Sequence, residues 1–412
     1  MWRASNPKRS ITKLLKLPSW VFALGLVFGL GAYASVLRDT ASIPGNSKTL
    51  TSKVLPLTIY RNWGIENADV HSHIHALEAW KLEEGSHNVV VAVIDTGVDV
   101  NHPDLAGNIW HMVPKPDATK MKGAEYLTAM AKWEKNENHN TYGWDFVKNG
   151  PNPPDEHGHG THVSGIIGAL ANPRAGISGV AHKVSIMPIR YYSESNPGAL
   201  NLANTVKAIE WAVEHGANII NYSGGGPEFS EAEYLALRKA ELKGILVVAA
   251  AGNERQNTDK IEHYYYPAAY RLSNIISVAA TDRGNNLIAS SNWGKTRVDV
   301  AAPGDAIYST LPGKRYGQMS GTSQATAFVT GIAALLLAKD PSLKPAQIRQ
   351  IIVDSVDKFP QLREKVASGG RVDAYQAVLS LTKPLKPVIA MPIRMASQSP
   401  VAVRVPAEGS QQ

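Results

Sequence analysis

The sequence predicts an α/β protein built on a doubly wound, mostly parallel sheet with helices on both faces. Three observations predict it: β-branched runs recur along the chain, stretches of helical period lie between them, and those stretches close on glycine. The runs are NVVVAVIDTG, KVSIMPIR, ANIINYSGG, GILVVAAAGN and NIISVAATD. Lacking polar alternation, they read as strands buried on both faces, as in a parallel sheet.

Each remaining element follows from its own pattern. HSHIHALEAWKLEEG carries Ile74, Leu77 and Trp80 near helical spacing and predicts a helix ending at Gly85. ANTVKAIEWAVEHG and EAEYLALRKAELKG predict helices with glycine at the C-terminal cap. GTSQATAFVTGIAALLLAKD is apolar on most faces, so it predicts a buried helix, with PAQIRQIIVDSV as its partner.

At 412 residues, 44% of them apolar and 19% charged, the chain can bury a sizeable core. Its formal charge of +7 is unevenly placed: residues 1–34 hold Arg3, Lys8, Arg9, Lys13 and Lys16 and no acid. The tail from Lys383 adds four bases against Glu408 alone, which leaves the middle of the chain near neutral and argues against a nucleic-acid partner. Zero cysteines exclude disulfides, thiol catalysis and cysteine zinc sites.

The basic start leads into an uncharged run from Leu17 to Leu37 with the small-x-small pattern Ala32-Tyr33-Ala34, which predicts a signal peptide over 1–34 and export from the cytoplasm. Uncleaved, the same run approaches the length that spans a membrane. Residues 35–55 read as a linker or short pro-segment, 56–382 as one catalytic-sized domain, and 383–412 as a Pro-rich disordered tail.

In open parallel sheets the reactive groups gather at strand C-termini and helix N-termini. Three motifs fall at such places: Asp95 ends the NVVVAVI run, His159 opens a helix in HGHGTHVSG, and Ser323 opens the buried helix in MSGTSQATA. A serine hydroxyl needs an adjacent base, and the base needs a partner that fixes its tautomer; these residue types supply the three parts. Taken singly, each also fits a plain structural role as turn aspartate, helix-capping histidine or N-capping serine.

Together, VAVIDTGVDVNHPDL, HGTHVSG and GTSQATA resemble the subtilisin-like serine proteases, in the order Asp, His, Ser and over about residues 57–380. The resemblance implies a peptide-bond hydrolase needing no cofactor, acting on polypeptides through Asp95, His159 and Ser323, and a monomer. It implies an oxyanion role for Asn253 in AAAGNE, and a primary specificity pocket walled by Ser223, Gly224, Gly225 and Gly226. Glycines there leave room for a large side chain, and a second substrate edge is expected around Tyr191 and Tyr192. The family often binds a stabilising calcium ion; Asp104 in NHPDL matches its carboxylate, while Pro173 stands where a ligating Asn is common and Asn172 lies beside it.

The chain departs from the family pattern in carrying Gln324 and Ala327 where relatives commonly have Met and Pro. A polar stretch over 110–141 reads as a surface insertion near the active-site rim, and the 20 or so residues before the fold are too few for the inhibitory pro-domain of many relatives. Two rival readings remain. A silent subtilase-fold scaffold would keep the fold without the chemistry. A zinc site could draw on His157, His159 and His162, or on His71, His73 and His75, though no HExxH motif or acid-rich cluster accompanies them and the latter three read as solvated surface. Asp155, Glu156 and His157 beside the base suggest tolerance for basic residues near the cleaved bond.

Overall fold

The computed structural model describes residues 61–66, 72–113, 116, 118–138, 140–172 and 177–382. The predicted signal, linker and tail segments, His71 and Pro173 lie outside the described residues.

One ten-stranded sheet carries the domain. In chain order its strands are β1 (Gly85–Asp95), β2 (Trp144–Asp145), β3 (Gly150–Pro151), β4 (Lys183–Arg190), β5 (Ile219–Tyr222), β6 (Leu246–Ala250), β7 (Ile275–Thr281) and β8 (Val300–Pro303). A separate antiparallel hairpin pairs β9 (Ile307–Leu311) with β10 (Arg315–Met319). The sheet then gains β11 (Asp357–Lys358) and β12 (Gly370–Arg371), giving the spatial order β11-β12-β8-β7-β6-β5-β1-β4-β2-β3. Neighbours pair in parallel except at the two edges, β2 with β3 and β11 with β12. β4 and β5 flank β1 on opposite sides, so the strand order reverses at β1 and opens a crevice at its C-terminal end.

The helices are α1 (Ala76–Trp80), α2 (Gly123–Glu134), α3 (His159–Gly168), α4 (Gly198–Glu214), α5 (Glu231–Leu242), α6 (Thr322–Lys339), α7 (Pro345–Asp354) and α8 (Ala374–Ser380). Strand alternation divides the core into two layers. Val91 and Val93 face α3 and α6, whereas Ala92 and Ile94 face Ala208, Ile209 and Ala212 of α4 and Leu237 of α5. Both faces of β1 are thus apolar, which is why its sequence shows no alternation. α6 is buried from Thr322 through Leu337, with Gln324 only 1% exposed. The Gln324 amide Nε2 lacks a hydrogen-bond partner among the described residues, an arrangement that costs about 1–3 kcal/mol.

The polar stretch over 110–141 holds α2, which has no buried residue. α1 is shorter than its sequence predicts. His75 at its N-cap is left-handed (φ 55°), so the helix begins only at Ala76, and Gly85 with φ 106° already starts β1.

His75 does not lie on a solvated surface as expected. Its Nδ1 lies 2.9 Å from Asp373 Oδ2 and 3.8 Å from Asp357 Oδ2, while Asp373 Oδ1 caps α8 through the Gln376 N–H. The ligand atoms of His75, Asp357 and Asp373 fall within 4.8 Å of one another, yet the Arg371 guanidinium already sits on the same Asp357 oxygen at 2.6 Å. The cluster therefore works as an ion-pair clasp between the first and last helices. The Asp373 hydrogen bond raises the His75 pKa against the lowering effect of burial. A raised folded value means that the clasp stabilises fully below the unfolded value near 6.5 and fades as pH climbs through the folded one. His75→Asn, which tolerates the left-handed backbone, is expected to lower the melting temperature at pH 5.5 and to approach wild type at pH 9. Melts in a Ser323→Ala background check this, and a pH-independent gap would contradict it.

Candidate active site

The crevice at the end of β1 collects the motif residues from four elements. Asp95 ends β1 at 3% exposure, and its Oδ1 accepts hydrogen bonds from the Thr96 N–H at 2.8 Å and from His159 Nδ1 at 2.8 Å. His159 is the first residue of α3, on a backbone turned by Gly158 at φ 100°. Gly160 lets that turn approach the strand: a Cβ there would strike the Gly97 carbonyl and lie 3.2 Å from the Asp95 carboxylate oxygen.

Thr96, which sequence reasoning missed, and Asp155, which it read only as facing substrate, lock this approach. Thr96 Oγ1 accepts the Gly160 N–H at 3.0 Å and donates to Asp155 Oδ1 at 2.8 Å. Asp155 in turn accepts the N–H groups of His157, Gly158 and Thr161 and the Thr161 hydroxyl, so one carboxylate ties the start of α3 to the end of β1. The signal was present: an aspartate a few residues before a helix start is a capping pattern. Asp155 is thus engaged by the backbone of its own loop, while the exposed Glu156 pairs with Lys148 and Arg190.

Burial pulls the His159 pKa down, but the Asp95 charge and hydrogen bond, with the Asp155 charge, outweigh it and leave the value above the ordinary imidazole range. The neighbouring histidines differ. His162 is pushed by burial down to about 4 and stays neutral, its Nε2 donating to the Ile307 carbonyl at 2.9 Å. His157 Nε2 lies 3.3 Å from Glu194. The three rings of HGHGTH thus have three separate partners instead of converging on one ion.

Ser323 occupies the first turn of α6, where backbone N–H groups have no intrahelical acceptor. Its Oγ donates to the Ser223 carbonyl at 2.9 Å, and Ser223 Oγ returns a bond to the Ser323 carbonyl at 3.2 Å. Behind this pair, Thr330 donates to Asn221 Oδ1 and Asn221 Nδ2 to Ser223 Oγ, so a buried polar chain fixes α6 against the end of β5. In this rotamer the serine hydroxyl is aimed at Ser223 and not at His159.

Asn253 follows β6 and is exposed. Its Oδ1 accepts from the Thr322 N–H at 2.9 Å and from the Thr322 hydroxyl at 3.2 Å. Because that backbone N–H requires an oxygen, the amide orientation is fixed and Nδ2 is the end left to meet a ligand. Gly224, Gly225 and Gly226 continue from Ser223 beyond β5, and the Tyr191 hydroxyl abuts Gly224.

Asp104 lies away from this group, in the turn after β1. Both of its oxygens are taken by neutral donors, the Asn172 amide at 2.8 Å and the Tyr316 hydroxyl. Calcium asks for six to eight oxygen ligands. Asp104 and Asn172 do meet at the expected site, and residues 173–176 of its loop lie outside the described residues.

The profile of the subtilase family matches residues 86–375. The chain is 38% identical over 305 residues to thermitase of Thermoactinomyces vulgaris, covering 74% of this chain and 93% of that protein. It is 37% identical over 300 residues to a thermophilic serine proteinase of Bacillus sp. (strain AK1), covering 73% and 64% respectively. It is 38% identical over 266 residues to subtilisin DY of Bacillus licheniformis, covering 64% and 81%. The chain therefore belongs to the subtilase family and is a subtilisin-like serine peptidase.

Proposed function

We propose that the protein is an exported endopeptidase that cleaves polypeptides through an acyl-enzyme, with Ser323 as nucleophile, His159 as base and Asp95 as its orienting partner. The observation that carries this reading is the 2.8 Å bond from His159 Nδ1 to the buried Asp95 carboxylate, which leaves the Nε2 lone pair free to take a proton. Ser323 turns from the Ser223 carbonyl toward that nitrogen; catalytic hydrogen bonds commonly tighten only when substrate arrives. As His159 takes the hydroxyl proton, Ser323 Oγ bonds to the scissile carbonyl carbon and the displaced electron pair moves onto the carbonyl oxygen.

That oxyanion is held by Asn253 Nδ2 and the Ser323 N–H, two donors already in place before reaction. Losing the side-chain donor costs about 2.7–4 kcal/mol, a scale set by the asparagine of a subtilisin. Collapse of the intermediate breaks the peptide bond, and His159 gives its proton to the departing amine. Water then repeats the sequence on the acyl-enzyme. These steps use side chains and backbone alone.

Export rests on the basic, then apolar, then small-x-small order of residues 1–34. No helix among the described residues is long and apolar enough to cross a membrane.

A fluorophosphonate probe is expected to label the purified protein at Ser323, and Ser323→Ala is expected to lower casein hydrolysis by about 10^6-fold. Unchanged hydrolysis in the variant would contradict the proposed nucleophile, and an unlabelled, inactive wild type would favour the scaffold reading. Mass spectrometry of protein recovered outside the cytoplasm should find an N-terminus at Ser35; retention of residues 1–34 would overturn cleavage.

A further inference from the structure

We propose that Tyr265 narrows the primary specificity pocket, so that the peptidase accepts small side chains before the cleaved bond and refuses aromatic ones. This rests on the reading of Ser323 as nucleophile. A carbonyl carbon in reach of Ser323 Oγ, with its oxygen toward Asn253 Nδ2, sits between the segments that follow β5 and β6. The side chain on the adjoining α-carbon then enters the gap between Ser223–Gly226 and Gly252–Asn253. Glycines on both sides suggest an open slot, but the structure places a ring in it.

A Cβ built on Gly225 would lie 2.6 Å from Tyr265 Cε1 and 3.2 Å from its Cζ, and one built on Gly252 would lie 2.9 Å from Tyr265 Cδ2. Cε1 and Cδ2 are opposite corners of the phenol, so the ring reaches from one glycine segment to the other. The glycines are needed to admit the tyrosine, and the space they open is already filled.

The main chain holds Tyr265 there. Its neighbour Tyr266 exchanges both backbone hydrogen bonds with Gly226, at 2.8 and 3.0 Å, and the Tyr265 carbonyl accepts the Ala269 N–H at 2.8 Å. Burial foremost, then the nearby Glu254 and Glu233 charges, keeps the phenol un-ionised. Admitting a second aromatic ring requires expelling this one from its packed position, whereas a methyl group asks for far less displacement.

Peptide p-nitroanilides that differ only in a final Ala or Phe test the inference, with active enzyme counted by fluorophosphonate titration. Wild type is expected to favour Ala over Phe by about tenfold or more in kcat/KM, Tyr265→Phe to keep that order, and Tyr265→Gly to reverse it. Labelled wild type that cleaves the Phe substrate as well as the Ala one would overturn the proposal, as would a labelled Tyr265→Gly with an unchanged ratio. If Tyr265→Gly fails to fold it fails to label, and the wild-type and Tyr265→Phe ratios still decide. A wild type that neither labels nor cleaves either substrate instead removes Ser323 as nucleophile, and this inference with it.

Discussion

A single hydrogen bond, from His159 Nδ1 to Asp95 Oδ1 at 2.8 Å, is the contact around which the domain is arranged. Burying a carboxylate to 3% exposure is tolerable only where donors meet it, and here one comes from the following backbone amide and one from an imidazole 64 residues away. For that imidazole to arrive, α3 must begin almost in contact with the end of β1. Gly160 gives the clearance and Asp155 with Thr96 gives the anchorage. The same bond fixes the His159 tautomer on which the proposed chemistry depends, so packing and function make one demand on these residues.

The second half of the crevice is assembled by a different device. α6 is apolar on nearly every face and is therefore driven into the core, but its first turn emerges where β5 and β6 end. Polar bonds through Thr330, Asn221 and Ser223 set its register, and Asn253 grips its first N–H group. His162, held neutral by burial, ties α3 to the β9–β10 hairpin at Ile307. The histidines of HGHGTH thus divide their work: one faces Asp95, one tethers a hairpin, and one meets a surface glutamate.

Much of this was legible in the sequence, for identifiable reasons. β4 coincides with the run KVSIMPIR because its apolar stretch, buried from Ile186 onward, is bounded by the charged Lys183 and Arg190. β2, β3, β11 and β12 are two residues long, too short to show any period, and they exist only through pairing with neighbours already in place. Asp95, His159, Ser323 and Asn253 stand out through their motifs. Asp155 read as a charge facing substrate, whereas five donors from its own surroundings meet it, and the glycines at 224–226 suggested open space. Tyr265 belongs to a stretch, YYYP, without periodicity; only the bridge between Gly226 and Tyr266 brings its ring beside Gly225 and Gly252.

The Asp95 carboxylate governs the protonation of His159, and an NMR titration of the His159 imidazole in wild type and Asp95→Asn tests this most directly. Asp95 holds the value up against burial, so the wild-type midpoint should lie above the ordinary value near 6.5 and should fall in the variant, where burial acts unopposed by that charge. An equal midpoint in both proteins would contradict the account.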